Sequence, residues 1–194
     1  MNPSIDTMIS ELRPVSGPGP ANAHGGHDKT ISIRSIESQI NRKLPESYAH
    51  FLTLYENGLM FDAIICYKPL TSSPWASKKT GMQHVEQFYS LNHGGYSVVK
   101  NINIYKNRIP EGYIAIAEAG GGNQILISAN EEDYDFVYFW DHEGEVDKKI
   151  NKTPDKSNLY LISKSFTDFI ALLSIEEDDD EGGVVGLKSI TLRI

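Results

Sequence analysis

Four groups of side chains in this 194-residue chain have the types and spacing that chemistry would need. His24, His27 and Asp28 offer two imidazoles and a carboxylate, all legitimate zinc ligands. They stand in a Gly-rich stretch without a positioned fourth group, so no metal site is expected. Cys66, the single cysteine, has His84, His93 and His142 as potential base partners. It lies inside an apolar run, where a thiol is usually a small buried hydrophobe rather than a nucleophile. Gly120-Gly121-Gly122-Asn123 invites comparison with a phosphate loop. A phosphate loop needs a helix start after the glycines; here Gln124 and a β-like run follow, so a hairpin turn is expected. No G-x-S-x-G elbow is present. The reading is therefore that the chain is not an enzyme, with no catalytic residues and no cofactor.

The fourth group is acidic. Glu131, Glu132, Asp133, Tyr134 and Asp135 precede the run FVYFW (Phe136 to Trp140), and Asp141, Glu143 and Glu145 follow it. As an acid–base pair they would be poorly held on turns. As solvated loops they would protect sheet edges from aggregation. As a recognition surface they would complement a basic partner around an aromatic centre. This last reading makes the eight residues the expected partner-binding site.

The elements that must position them follow from periodicity. Residues 1–28 are punctuated by Pro14, Gly17, Pro18, Gly19 and Pro20 and read as a flexible extension. Ile5, Met8, Ile9 and Leu12 nevertheless fall at helical spacing, as a short helix docking on the body or on a partner would require. Thr30 to Asn41 predicts a helix with Ser32 as N-cap and Ile33, Ile36 and Ile40 inward. Pro45 to Asn57 predicts a second, with Pro45 in the first turn, Tyr48, Phe51, Leu52 and Tyr55 on one face, and Asn57-Gly58 as the stop.

Leu59 to Tyr67 and Val85 to Leu91 then read as strands, Asn92 to Gly95 as a break, and Tyr96 to Lys106 as a helix. Tyr113 to Ala117, Ile125 to Ser128 and Phe136 to Trp140 predict an antiparallel meander, with Leu159 to Ser163 as a further strand or a lead-in. Ser165 caps a helix whose inner face is Phe166, Phe169, Ile170 and Leu173, ending near Ser174. The acidic run Glu176 to Glu181 reads as a linker, and Val184 to Ile194 as a tail with strand-like alternation. The domain division is thus 1–28, a body over 29–175, and 176–194.

L-P-x-x-Y-x-x-F-L at Leu44, Pro45, Tyr48, Phe51 and Leu52, followed by Asn57-Gly58, Ile109-Pro110 and Gly121-Gly122-Asn123, resembles the SUKH superfamily of Smi/Knr-type domains. The resemblance covers roughly residues 31–175. It implies an α+β fold: an antiparallel or mixed sheet of about five or six strands, with helices packed on one side. It also implies an immunity protein that neutralises a cognate bacterial toxin, with a nuclease type among polymorphic toxins as the expectation, by stoichiometric noncatalytic binding. The alternative it implies is a regulatory or scaffold module without a toxin. These motif residues are core and turn positions, so they identify a fold rather than an interface.

Composition narrows the partners. The formal net charge is −8, which disfavours binding to nucleic acid or an anionic membrane. Setting aside the six charges of the acidic run leaves −2, so the body is nearly balanced. Apolar runs fall far short of the ~20 residues that span a bilayer. One cysteine suits a reducing compartment, and a cytoplasmic location is expected. The expected partner is a protein; monomer and homodimer both remain open.

Overall fold

The computed structural model describes residues 4–16, 29–91, 96–145 and 153–176. The His24–Asp28 group, the Asn92–Gly95 break, and the acidic run and tail beyond Glu176 lie outside the described residues. The architecture is α+β, a mostly antiparallel seven-stranded sheet accompanied by a three-stranded one.

The chain opens with α1 (Ile5–Ser10), capped by the Ser4 side chain, which accepts from Thr7 N. Its buried Ile5 and Ile9, with Leu12, join the central core, and α1 packs on α5 (Phe166–Leu172). β1 (Pro14–Ser16) then adds an edge strand to the large sheet. Residues 4–16 of the expected extension are therefore packed against the body, the docking alternative for Ile5, Met8, Ile9 and Leu12.

α2 (Lys29–Ile40) begins ahead of Ser32, so Ser32 lies within the helix and is not its cap. Ile36 is fully buried, with Ile33 and Ile40 packed against the core. α3 (Glu46–Leu54) starts directly after Pro45, and its Tyr48, Phe51 and Leu52 are 0 % exposed. Phe51 meets Phe88 and Phe166 at ring-centroid distances of 5.0 and 5.2 Å. The helix ends before the expected stop, because Tyr55 leaves helical geometry (φ −116°, ψ 53°). Gly58 turns the chain into the sheet at φ +80°, where a Cβ would stand 2.8 Å from Phe88 O. Only glycine satisfies both constraints.

Two expected strands are each divided. Leu59 to Tyr67 becomes β2 (Leu59–Phe61) in the large sheet and β3 (Ile65–Tyr67) in the small one. Val85 to Leu91 gives way to β4 (Gln83–Val85) and β5 (Gln87–Phe88), split in the same manner. The pairings Leu59↔Phe88 and Ile65↔Val85 show one hairpin bending from sheet to sheet. Periodicity sees a continuous apolar run and not the bend.

α4 (Val98–Ile104) is capped by Ser97, and the meander β6 (Tyr113–Glu118), β7 (Gln124–Ser128), β8 (Val137–Trp140) and β9 (Leu159–Ser163) follows in order. α5 is capped by Ser165 as expected, and β10 (Ser174–Ile175) pairs with β3. The division of β2/β3 and β4/β5, together with β1 and β10, raises the strand number above five or six.

Side chains directly opposite one another across a sheet share a face. Phe88, Ala117, Ile125 and Phe139 therefore share the face that meets Phe51 and Phe169. Glu118, Gln124 and Trp140 share the opposite face, where Tyr105 stacks edge-on against Trp140 at 5.6 Å.

Candidate partner-binding surface

The loop before β8 is a 3-10 turn, Glu131–Asp133. Asp133 is 7 % exposed and accepts hydrogen bonds from Ser128 Oγ, Tyr113 OH, Tyr138 OH and Lys156 Nζ. Burial alone would raise its carboxyl, but those bonds and the Lys156 charge outweigh it and hold the group below the usual range. Asp135 has φ +72° and accepts from Ser47 Oγ (3.1 Å) and Phe166 N (3.2 Å) through one oxygen, Oδ1. It thereby ties the loop to α3 and α5.

Between these anchors Tyr134 is 41 % exposed, with its hydroxyl donating to Leu44 O at 2.8 Å. Burial, then the charges of Asp135, Glu46 and Glu37, push that hydroxyl's pKa up. Glu131 and Glu132 are exposed. Lys156 Nζ meets Glu132 at 3.2 Å, a surface pair of small energetic weight.

The loop after β8 is a second 3-10 turn, His142–Gly144. Asp141, 7 % exposed, accepts from Trp75 Nε1 and Glu143 N, both at 3.0 Å. Asn123 Oδ1 accepts from His142 N (3.1 Å) and faces His142 Nδ1 at 2.9 Å. That network assigns the ring proton to Nδ1 and leaves Nε2 as an acceptor. Glu145 holds Arg108 in a two-pronged pair (2.9 and 2.8 Å), and the guanidinium lies over Tyr105 and Trp140 at 5.1 and 5.6 Å. Glu143 is exposed.

The eight residues expected at one recognition face are thus divided twice. Four residues of β8, about 13 Å of strand, separate the two loops at opposite ends of the sheet. Asp133, Asp135, Asp141 and Glu145 spend their oxygens on internal hydrogen bonds; Glu131, Glu132, Tyr134 and Glu143 face solvent. Sequence reasoning did not single out Trp75 as a site residue, although a tryptophan in a loop of polar residues was a usable signal. Nor did it find the cleft of about 460 Å³ between α4 and the start of β6, where Gln39 Nε2 donates to Asn103 Oδ1. That cleft is assembled from three separate segments, 39–41, 101–115 and 153–154.

The other chemical candidates take structural places. Cys66 is buried and its Sγ lies 3.4 Å from Ser174 Oγ. The strand register sets it opposite His84, whose Nε2 meets Glu176 Oε1 at 3.2 Å across the three-stranded sheet, with both side chains partly exposed. Gly120, Gly121 and Gly122 all have positive φ and close the β6–β7 hairpin. Among the described residues, no group of three or more His, Cys, Asp or Glu side chains stands where it could hold a metal. No helix among them is long and apolar enough to cross a membrane.

Residues 30–172 match the SMI1 / KNR4 family (SUKH-1). A relative, the SPbeta prophage-derived protein YokK of Bacillus subtilis (strain 168), is 34% identical over 167 residues. The match spans 80% of this chain and 81% of the relative.

Proposed function

The chain belongs to the SMI1 / KNR4 family (SUKH-1), which includes immunity proteins, and from that premise we propose that it binds and neutralises a cognate protein toxin. Binding is stoichiometric and noncatalytic, and it takes place in the cytoplasm. The observation that carries this reading to a place on the molecule is Tyr134. It is an exposed aromatic fixed at its hydroxyl by Leu44 O, with the charge of Glu46 acting on it and the exposed Glu131 and Glu132 on the turn just before it.

Such a residue meets a partner with little rotamer entropy left to lose. Clustered carboxylates around it complement the basic cleft of a nuclease-type toxin, and charge complementarity of this kind mainly speeds association. Asp133 and Asp135 serve by holding the loop, so they belong to its scaffold and not to the contact.

The test is co-expression with the candidate toxin encoded beside this chain's gene, followed by calorimetric titration at two salt concentrations. Glu131→Lys with Glu132→Lys should weaken binding by ~2 kcal/mol or more at low salt and less at high salt, with an unchanged melting curve. Tyr134→Ala should weaken it at both. Rescue of growth by all these variants with unaltered affinity would remove this surface. Failure of the wild type to rescue growth or bind any neighbouring toxin would favour a regulatory module instead.

A further inference from the structure

Each glycine of the β6–β7 turn carries a side chain from a different segment on its bare Cα. A methyl group on Gly120 would stand 2.8 Å from Glu86 Oε1, on Gly121 3.2 Å from Trp75 Cζ3, and on Gly122 3.4 Å from His142 Nε2. Glu86 comes from the junction of β4 and β5, Trp75 from the loop before β4, and His142 from the turn after β8. A hairpin alone does not require that three segments converge on it. The triglycine turn is a floor, and an acid, an indole and an imidazole lie side by side upon it.

The indole is both open and fixed. Trp75 is 42 % exposed, yet Nε1 donates to Asp141 Oδ1 at 3.0 Å, and the His142 ring stands 6.4 Å away, centroid to centroid. Donation to a carboxylate enriches the indole π-system in electrons. The segments that meet here carry the acids Glu86 and Glu143, and the loop of Trp75 carries Lys78 and Lys79 farther along. Glu86 is exposed, and partial burial followed by the charge of Glu118 pushes its carboxyl up. Among the described residues no Lys or Arg pairs with Glu86 or Glu118; Glu118 accepts only the neutral Gln87 Nε2, at 2.7 Å. Glu143, from the turn that bears His142, adds another exposed carboxylate.

We propose that this platform receives an arginine side chain of a protein partner, the guanidinium lying on Trp75 and donating to Glu86 and to His142 Nε2. Tryptophan is the best aromatic acceptor of a cation, and a carboxylate at the ring's edge supplies the counter-charge. A guanidinium fits better than an ammonium because it stacks flat while its in-plane N–H groups reach both acceptors. The site stands at the opposite end of β8 from Tyr134 and does not depend on the toxin reading, since any partner presenting arginine would serve.

The experiment uses the full chain labelled with ¹⁵N and a capped Gly-Arg-Gly peptide as probe, with citrulline and lysine versions alongside. The chain has two tryptophans, and the other, Trp140, is fully buried, so its indole signal is an internal control for folding and non-specific effects. The Trp75 indole signal should move saturably, with a Kd on the order of millimolar, while the Trp140 signal stays still. Citrulline, and separately Glu86→Gln, should each weaken binding about tenfold, and lysine should bind more weakly than arginine. No saturable movement, equal movement by the citrulline peptide, or unaltered affinity in Glu86→Gln overturns the proposal. A toxin whose binding is indifferent to Glu86→Gln would leave the peptide result standing, so this inference and the toxin reading fail separately.

Discussion

The two ends of β8 look alike in sequence, an acidic cluster next to an aromatic, and the fold uses them differently. At the Tyr134 end the inner carboxylates come from one short segment and tie down that same segment: Asp133 to Ser128, Tyr113 and Tyr138, and Asp135 to Ser47 and Phe166. The exposed residues, Glu131, Glu132 and Tyr134, are its sequence neighbours. At the Trp75 end, Asp141 and Glu145 anchor residues far along the chain, Trp75 and Arg108. The exposed platform there comes mostly from elsewhere. One end is a loop that presents itself; the other is a junction that presents side chains of three segments. A carboxylate's role is therefore decided by its donors and not by the density of acids around it.

The largest expected effect tests whether the Tyr134 loop owes its shape to its inner acids. Asp133→Ala leaves two tyrosine hydroxyls, Ser128 and Lys156 without their shared acceptor. It should cost ~3 kcal/mol in urea denaturation, the scale of breaking a buried polar network. Glu131→Gln with Glu132→Gln, one and two residues away, should stay within ~0.5 kcal/mol. Equal effects from the two sets would erase the division between inner and outer acids.

Asp141→Ala makes the matching cut at the other end, with a smaller effect expected. It removes the acceptor of Trp75 Nε1 and of Glu143 N, two hydrogen bonds where Asp133 accepts four, and should cost ~1–2 kcal/mol. The indole N–H of Trp75 should also exchange faster with solvent while that of Trp140 does not change. A Trp75 indole still protected in this variant would show that Gly121 and His142 hold the ring by themselves.

The same contrast explains what was legible in the sequence. The α3 helix, the Gly120–Gly122 hairpin and the meander are short-range objects, written in the spacing of Tyr48, Phe51 and Leu52 or in the alternation of Tyr113 to Ser128. The family resemblance rests on those positions, and it was sound for that reason. The bend that divides Leu59–Phe61 from Ile65–Tyr67 was not legible, since both halves are equally apolar. The packing of Ile5 and Ile9 depends on a partner surface on α5 more than 150 residues later. At the candidate site the acidic residues were visible, but which of them face inward depends on Ser128, Tyr113, Ser47 and Trp75. The convergence of Glu86, Trp75 and His142 had no local signature at all.

The smallest expected effect separates two aspartates only two residues apart. Asp133 has its carboxyl held down, so its contribution to stability is complete above the unfolded value of ~3.9 and is lost as pH falls through its lower folded value. Asp135 runs the other way. Burial first, then the charge of Asp168, raise its carboxyl against the hydrogen bonds from Phe166 N and Ser47. Its charged form is thus disfavoured by folding. That penalty is present above the raised folded value and disappears as pH falls through it toward the unfolded one. Both of its hydrogen bonds end on Oδ1, which an asparagine amide oxygen reproduces, and asparagine tolerates φ +72° well. Asp135→Asn should therefore stabilise the protein at pH 7, by less than ~1 kcal/mol given the partial exposure of the site. The difference from wild type should shrink to nothing near pH 3.5, below the unfolded value, where the native carboxyl is largely neutral as well. Urea denaturation of the two proteins at both pH values makes the comparison. A loss of stability at pH 7 would mean that the loop needs the charge of Asp135, and that both inner acids at this end act alike.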